Sequence, residues 1–311
     1  MTHVVTLVGA ADAQTISPEL LAAAARRLPG AQAAEALAPG RAADIPFAPG
    51  AAHGNHADGS FADAGYCRAA ADVLRLALGG APVDIFVQPV AGRRKKLFLA
   101  DMDSTMIGQE CIDELADFVG LKDKVAAITE RAMRGEIAFE PALRERVALL
   151  KGLDASVVDE AIANRITLTA GGRELVMTMR ANGAYTALVS GGFTVFTSAI
   201  AEKIGFQENR ANILKIIEGK FVGEVEEPVL GQAAKLAALR DLAAHHGLAP
   251  EETLAVGDGA NDLAMLEAAG LGVAYRAKPA VAAGAQARIE HSDLTALLFA
   301  QGYRLSEFVN G

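Results

Sequence analysis

Leu97-Phe98-Leu99-Ala100 runs directly into Asp101-Met102-Asp103-Ser104-Thr105, so four apolar residues end on two carboxylates two positions apart. A short, unalternating apolar run reads as a strand covered on both faces, as in a parallel sheet. The residues past its carboxyl end then lie where open parallel sheets hold ligands. Two aspartates crowded there repel each other unless a cation or a proton relieves them. An isolated pair also reads as an Asx-type turn in water.

Downstream, strand and helix alternate, which folds as a parallel sheet with helices on both faces. Tyr185–Val189, Thr253–Val256 and Leu271–Tyr275 are the further strands expected, each after a helical stretch. Ser190-Gly191-Gly192 follows the first of these, ahead of a helix expected over Phe193–Ile204. Glycine lets backbone approach an anion closely and a helix start offers free N–H groups; a plain tight turn is the alternative. Gly257-Asp258-Gly259-Ala260-Asn261-Asp262 follows the second. There Asp258 and Asp262 can ligate or orient a hard cation, or an aspartate can simply cap the next helix. Lys235 falls in a helix expected over Gly231–His245, where a lone lysine is normally solvated. Ala211–Ile217 and Lys220–Val225 suggest a hairpin about Glu218-Gly219. From Ile107 to about Thr169 the apolar spacing is helical: Ile112, Leu115, Val119; Val125, Ile128, Ala132; Phe139, Leu143, Val147, Leu150. Inserted after the first strand of the sheet, these helices are expected to cap the strand ends.

Upstream, the expected order is strand His3–Val8, helix Pro18–Arg27 with Ser17 as N-cap, weak strands within Pro39–Ser60, helix Ala64–Leu78 and strand Asp84–Val90. That order suits a small ferredoxin-like α+β unit of ACT type, serving regulation, packing or a homodimer contact. Ala91–Lys96 is a basic linker, expected to be a solvated joint. The division expected is an accessory unit over 1–92 and a catalytic α/β unit over 93–311, with its helical cap at about 107–169. A net charge of −9 across 311 residues argues against a nucleic-acid partner, and 5% aromatics without Trp argue against a base-stacking platform. No apolar run reaches the roughly 18 residues of a membrane span, and Met1–Ala10 lacks the lysine or arginine of a signal peptide. Cys67 and Cys111 read as buried thiols in a reducing cytoplasm. His245-His246 reads as a helix end, and His53 and His56 lie in a glycine-rich stretch without a ligand set.

Together, LFLADMDST, ALVSGG, the Lys235 region and LAVGDGANDLAML resemble the haloacid dehalogenase superfamily of phosphotransferases. MIGQECIDELA, MRGEIAFEPALRERVALLKGL and VSGGFT narrow the resemblance to its phosphoserine phosphatases, from about Leu97 onward. The resemblance implies Mg²⁺-dependent hydrolysis of phosphoserine, the last step of serine biosynthesis, through an aspartyl-phosphate. It makes Asp101 the nucleophile and Asp103 the general acid, then base. It gives Mg²⁺ to Asp101, Asp258 and the Asp103 backbone carbonyl, and the phosphoryl oxygens to Ser190, the Gly191 N–H and Lys235. Asn261 and Asp262 would orient Lys235 or the metal's waters. Glu110 would meet the substrate ammonium and Arg146 its carboxylate, under an apolar lid of Met133 and Phe139. From chemistry alone, Glu110 reads as an acid at a helix N-terminus, and Arg144 and Arg146 as solvated charges beside Glu140 and Glu145. The motif match favours Glu110 and Arg146 and leaves Arg144 aside. The competing readings are an enzyme acting on another small phosphomonoester, and a phospho-aspartate receiver or amino-acid sensor. A receiver lacks a second acid two residues after its nucleophile and needs no helical cap.

Overall fold

Alternation of side chains along β1 (His3–Gly9) decides how the N-terminal part packs. The computed structural model describes residues 1–49, 62–133 and 136–309; His53 and His56 lie outside them, as does the side chain of Met133. After β1 come α1 (Pro18–Ala25), β2 (Glu35–Ala38), β3 (Ala42–Phe47), α2 (Ala62–Ala77) and β4 (Val83–Pro89). The four strands form an antiparallel sheet in the order β2-β3-β1-β4, the ferredoxin-like arrangement. Val5, Leu7, Ile45, Phe47, Ile85 and Val87 face the two helices and form one core with Ala24, Cys67, Ala71 and Leu74. Ser17 Oγ accepts the Leu20 N–H and starts α1 as expected. The opposite face carries Thr6, Asp44, Asp84 and Gln88 beside Val8 and Phe86, all buried.

That polar face is buried by the rest of the chain, and the linker is part of the joint. Arg93 donates to both oxygens of Asp44 at 2.6 and 2.9 Å and to the carbonyl of Ala300 at 3.0 Å. Lys95 is 7% exposed and donates to the carbonyls of Gly92 and Glu251. Burial pushes the Lys95 ammonium down to about 8. The linker is therefore not the solvated joint expected from its charge. Its arginine and lysine stems reach inward to satisfy carboxylate and carbonyl oxygens that the contact removes from water. Asp84 accepts the N–H groups of Glu290 and Ser292 at 2.7 and 2.8 Å, and also the Ser292 hydroxyl.

The second sheet begins with β5 (Leu97–Ala100), buried along its whole length. The cap follows as α3 (Cys111–Phe118), α4 (Lys122–Met133), α5 (Phe139–Ala148) and α6 (Val157–Asn164). It leaves and returns through a two-strand neck in which Ile107 pairs antiparallel with Leu168. Then come α7 (Gly172–Ala181), β6 (Tyr185–Phe193), α8 (Thr194–Ile204), β7 (Glu208–Asn212), β8 (Leu214–Ile217), β9 (Lys220–Val225), α9 (Gln232–His245), β10 (Thr253–Gly257), α10 (Leu263–Ala268), β11 (Leu271–Tyr275), α11 (Pro279–Gly284), β12 (Ala287–Ile289) and α12 (Ala296–Ala300). Six parallel strands run β12-β11-β10-β5-β6-β7. The chain builds outward from β5 to one side, then from β10 to the other, which puts a topological switch beside β5.

Two expectations are corrected. Ala211 and Asn212 belong to the edge strand β7, so the hairpin is β8–β9 alone, turning at Glu218-Gly219. β6 extends irregularly to Phe193, so α8 starts at Thr194 and the Ser190–Gly192 segment lies within the strand rather than in a loop directly before the helix. The hairpin packs on the cap, since Gly152 and Phe221 N–H groups bond the carbonyls of Phe221 and Leu153 at 2.8 and 2.9 Å. Among the described residues no helix is long and apolar enough to cross a membrane.

Candidate active site

Parallel register assembles the site. Ala100 pairs with Val256 on one side and Leu188 on the other, so the three loops leaving β5, β10 and β6 start level with one another. Asp101 continues the ladder, its N–H bonding the Val256 carbonyl at 3.0 Å. The chain then doubles back through Ser104, at φ 54°, so that the Met102 carbonyl accepts the N–H groups of Thr105, Met106 and Ile107. This tight loop turns Asp101 and Asp103 into the same cleft.

Lys235 is 3% exposed, unlike a lone lysine on a solvated helix face. Its ammonium lies 2.6 Å from both Asp101 Oδ2 and Asp262 Oδ1. Burial works against that charge, but the two carboxylates outweigh it and hold the lysine above its ordinary range. Asp262 is fully buried and does not cap α10; its second oxygen accepts the Gly259 N–H at 3.0 Å. Asp258 accepts the Thr105 hydroxyl at 3.0 Å. Asn261 lies in the same turn, with its Oδ1 folded over Gly259, where a Cβ would collide with it.

The acids are under strain of charge. Burial, then Asp262, pushes Asp101 well above the usual carboxylate range, against the pull of Lys235. Burial and Glu110 raise Asp103 to about 7, and burial and Asp262 raise Asp258 to about 6. Asp103 Oδ1 is buried and has no hydrogen-bond partner among the described residues. Asp101, Asp258 and Asp262 each offer an oxygen within 4.8 Å of the others. Hard oxygens gathered that closely suit a divalent cation such as Mg²⁺. Both oxygens of Asp262 are engaged, by Lys235 and Gly259, and so are both of Asp101, by the Met102 N–H at 2.7 Å and by Lys235, so an ion here would share Asp101 with those donors and draw on Asp258 as well.

Ser190 is buried at the end of β6, and its Oγ accepts the Gly192 N–H at 2.9 Å. The Phe139 ring lies over this segment from the cap: a Cβ on Gly191 would stand 3.3 Å from Phe139 Cζ, and one on Gly231 3.6 Å from Cδ1. At Gly191 a side chain would press on the ring by a few tenths of an ångström, while at Gly231 it would only touch it. Glu110 is the N-cap residue of α3 but makes no side-chain cap; it accepts the Ser104 hydroxyl at 2.6 Å. Arg146 is fixed by the Ala142 carbonyl and the Thr129 hydroxyl at 3.2 and 3.1 Å, and its charge is felt by Asp113, Glu110 and Asp103. Arg144 instead pairs with Glu140 and Glu227 on the surface. His246 ends α9 and packs on the Tyr185 ring. Cys67 and Cys111 are both buried. Thr105 and Thr129 escaped the sequence reading. Thr105 had a signal, as the hydroxyl closing the Asp101 loop; Thr129 had none, being one polar residue in a solvated helix.

The family model for haloacid dehalogenase-like hydrolases matches residues 98–267. The phosphoserine phosphatase of Archaeoglobus fulgidus is 43% identical over 217 residues, which cover 69% of this chain and 63% of that protein. The chain thus spans just under two thirds of that relative's length. A solved phospho-aspartyl intermediate analogue of phosphoserine phosphatase matches with a TM-score of 0.62 and 43% identity, over 66% of this chain and 98% of the other. A HAD family hydrolase of Salmonella enterica serovar Typhi matches over 98% of this chain and 99% of its own, with a TM-score of 0.80 and 28% identity.

Proposed function

The chain belongs to the haloacid dehalogenase-like hydrolase family, and from that premise we propose that it is a Mg²⁺-dependent phosphatase cleaving O-phosphoserine to serine and phosphate. The observation that carries this reading is the pair of neighbouring acids with different surroundings. Asp101 is held by an ammonium at 2.6 Å, whereas two residues later Asp103 has a buried oxygen with no partner among the described residues. One suits a nucleophile and the other a proton donor.

In the proposed reaction an Asp101 oxygen forms the bond to phosphorus as the bond to the serine oxygen breaks. Asp103 gives its proton to that oxygen, and serine leaves. Asp103 then takes a proton from the water that attacks phosphorus, freeing phosphate and restoring the Asp101 carboxylate. Ser190, the Gly191 N–H and Lys235 hold the phosphoryl oxygens, while Asp262 and Asn261 brace the cluster. Asp101, Asp258 and the Asp103 carbonyl would hold Mg²⁺, which when bound neutralises charge so that a carboxylate can approach a phosphate dianion. Glu110 takes the substrate ammonium and Arg146 its carboxylate, with Phe139 as part of the lid that excludes water.

Residues 1–92 are assigned as the accessory unit and 93–311 as the catalytic one, placed in the cytoplasm at the step that forms serine. A homodimer through the accessory unit, if formed, would use its helical face, because its sheet face is covered by Asp84 and Arg93 contacts within the chain. The test is phosphate release from a panel of small phosphomonoesters, with Mg²⁺ or with EDTA. Selective, Mg²⁺-dependent release from O-phosphoserine is expected; equal rates on phosphocholine or sugar phosphates would refute the substrate, and unchanged rates in EDTA the metal.

A further inference from the structure

β6 and β7 are in register from Ala187–Glu208 to Val189–Arg210, and again at Phe193–Asn212. Between those points β6 carries more residues than β7, so Ser190–Gly192 bulges out of the ladder toward the cleft. Such a bulge leaves backbone groups without strand partners, and an unpaired buried carbonyl is costly. Asn212 makes up the loss. Its Nδ2 donates to the Gly191 carbonyl at 2.9 Å, and it is 2% exposed.

The same amide does a second thing. Its Oδ1 accepts the Leu230 N–H at 2.7 Å, and its Nδ2 also reaches the Leu230 carbonyl at 3.3 Å. Leu230 is followed by Gly231, the N-cap of α9, and one turn on is Lys235. One side chain therefore joins the bulge that carries Ser190 to the strap that carries Lys235. It also fixes a peptide plane. The Gly191 carbonyl and the Gly192 N–H belong to one trans peptide and point in opposite directions. Holding the carbonyl on Asn212 turns the N–H toward Ser190 Oγ, 2.9 Å away, on the side of the cleft. Across the cleft, Phe139 rests on Gly191, which Asn212 bonds, and on Gly231, the residue after its other partner Leu230.

We propose that Asn212 is a positioning residue, locking the Ser190–Gly192 bulge to the Lys235 helix so that the phosphoryl-binding groups keep one spacing. The proposal rests on the phosphotransfer reading above and adds a residue outside its motifs. It touches no substrate; it acts through the Gly191 peptide and the Leu230 strap. Sub-ångström placement of charge-stabilising groups governs such reactions, so loosening the two units should cost turnover and phosphate affinity together.

The test uses the full chain with Asn212→Ala and the near-isosteric Asn212→Asp, which keeps the acceptor for Leu230 but sets an oxygen against the Gly191 carbonyl. Three constants are compared with wild type: kcat on O-phosphoserine, inhibition by inorganic phosphate, and inhibition by serine. Both variants are expected to lose at least tenfold in kcat and in phosphate affinity while serine inhibition stays within threefold. A purely structural asparagine would lower Tm and leave all three constants of the folded protein unchanged, and that result overturns the proposal. So does a parallel loss in serine and phosphate inhibition, which would mean that the whole cleft has deformed. If Asn212→Ala does not fold, Asn212→Asp decides alone. Should wild type prefer another phosphomonoester, the substrate reading fails, and the same comparison run on that ester still judges Asn212.

Discussion

Asp103 owes its proton to where it sits. Buried, and facing Glu110, its carboxyl titrates at about 7. A raised acid pKa means the proton is kept below that value and lost above it, so protonation of the serine oxygen should fail as pH rises through about 7. Single-turnover release of serine should fall along that limb, while release of 4-nitrophenol, a good leaving group, should fall much less. Asp103→Asn should cost at least a hundredfold in serine release, and identical losses on the two esters would count against the acid role. Glu110→Gln and Arg146→Ala should raise KM for phosphoserine at least tenfold and leave KM for an aryl phosphate nearly unchanged, since only the former carries an ammonium and a carboxylate. Steady-state kinetics on both substrates would show it. At this scale most of the site was legible, because Asp101, Asp103, Asp258, Asp262, Ser190 and Lys235 stand at strand ends or one helix away. Asn212 was not legible, since an asparagine acquires this use only when β6 bulges beside it.

The cap is held at more than its neck. β9 lies on α5, where Gly223 at φ 81° brings the strand against the Ala148 backbone and the Lys151 side chain. A Cβ on Gly223 would stand 3.1 Å from Lys151 Cβ and 3.3 Å from Ala148 Cα, in a conformation that side chains rarely adopt. Gly223→Ala should therefore part hairpin from cap, costing about 1–3 kcal/mol and raising KM by severalfold. A thermal melt paired with kinetics tests both. The long elements were legible from period alone: the first three cap helices and the four inner strands carry strong apolar patterns. β7 and β12 were not, one reading Glu-Asn-Arg-Ala-Asn over 208–212 and the other only three residues long. Edge strands need less apolar surface, so their sequences carry less of the pattern that reveals strands.

For the whole molecule, the acid cluster should set how stability varies with pH. Asp103 and Asp258 are raised to about 7 and about 6, above their unfolded values. The folded state thus binds protons more tightly, and that contribution disappears as pH rises through 6 to 7. In EDTA, Tm should fall between pH 5 and 8, and the gain in Tm on adding Mg²⁺ should be larger at pH 8 than at pH 5. Calorimetry at both values would show the same Tm and the same gain on adding Mg²⁺ if the cluster were harmless. The joint between the sheets was the least legible feature, because Ala91–Lys96 looks like a solvated linker until its oxygen partners are known. Asp84→Ala would strand the Glu290 and Ser292 N–H groups and should cost about 1–3 kcal/mol, visible as a lower Tm. Those partners of Asp84 lie 206 and 208 residues further along the chain. During synthesis, then, the first sheet emerges with its polar face uncovered and waits roughly 10–40 s for the segment that will close it. Until then Asp44 and Asp84, which the finished protein buries, stand in water beside Val8 and Phe86, so the half-made sheet is charged where the whole one is closed.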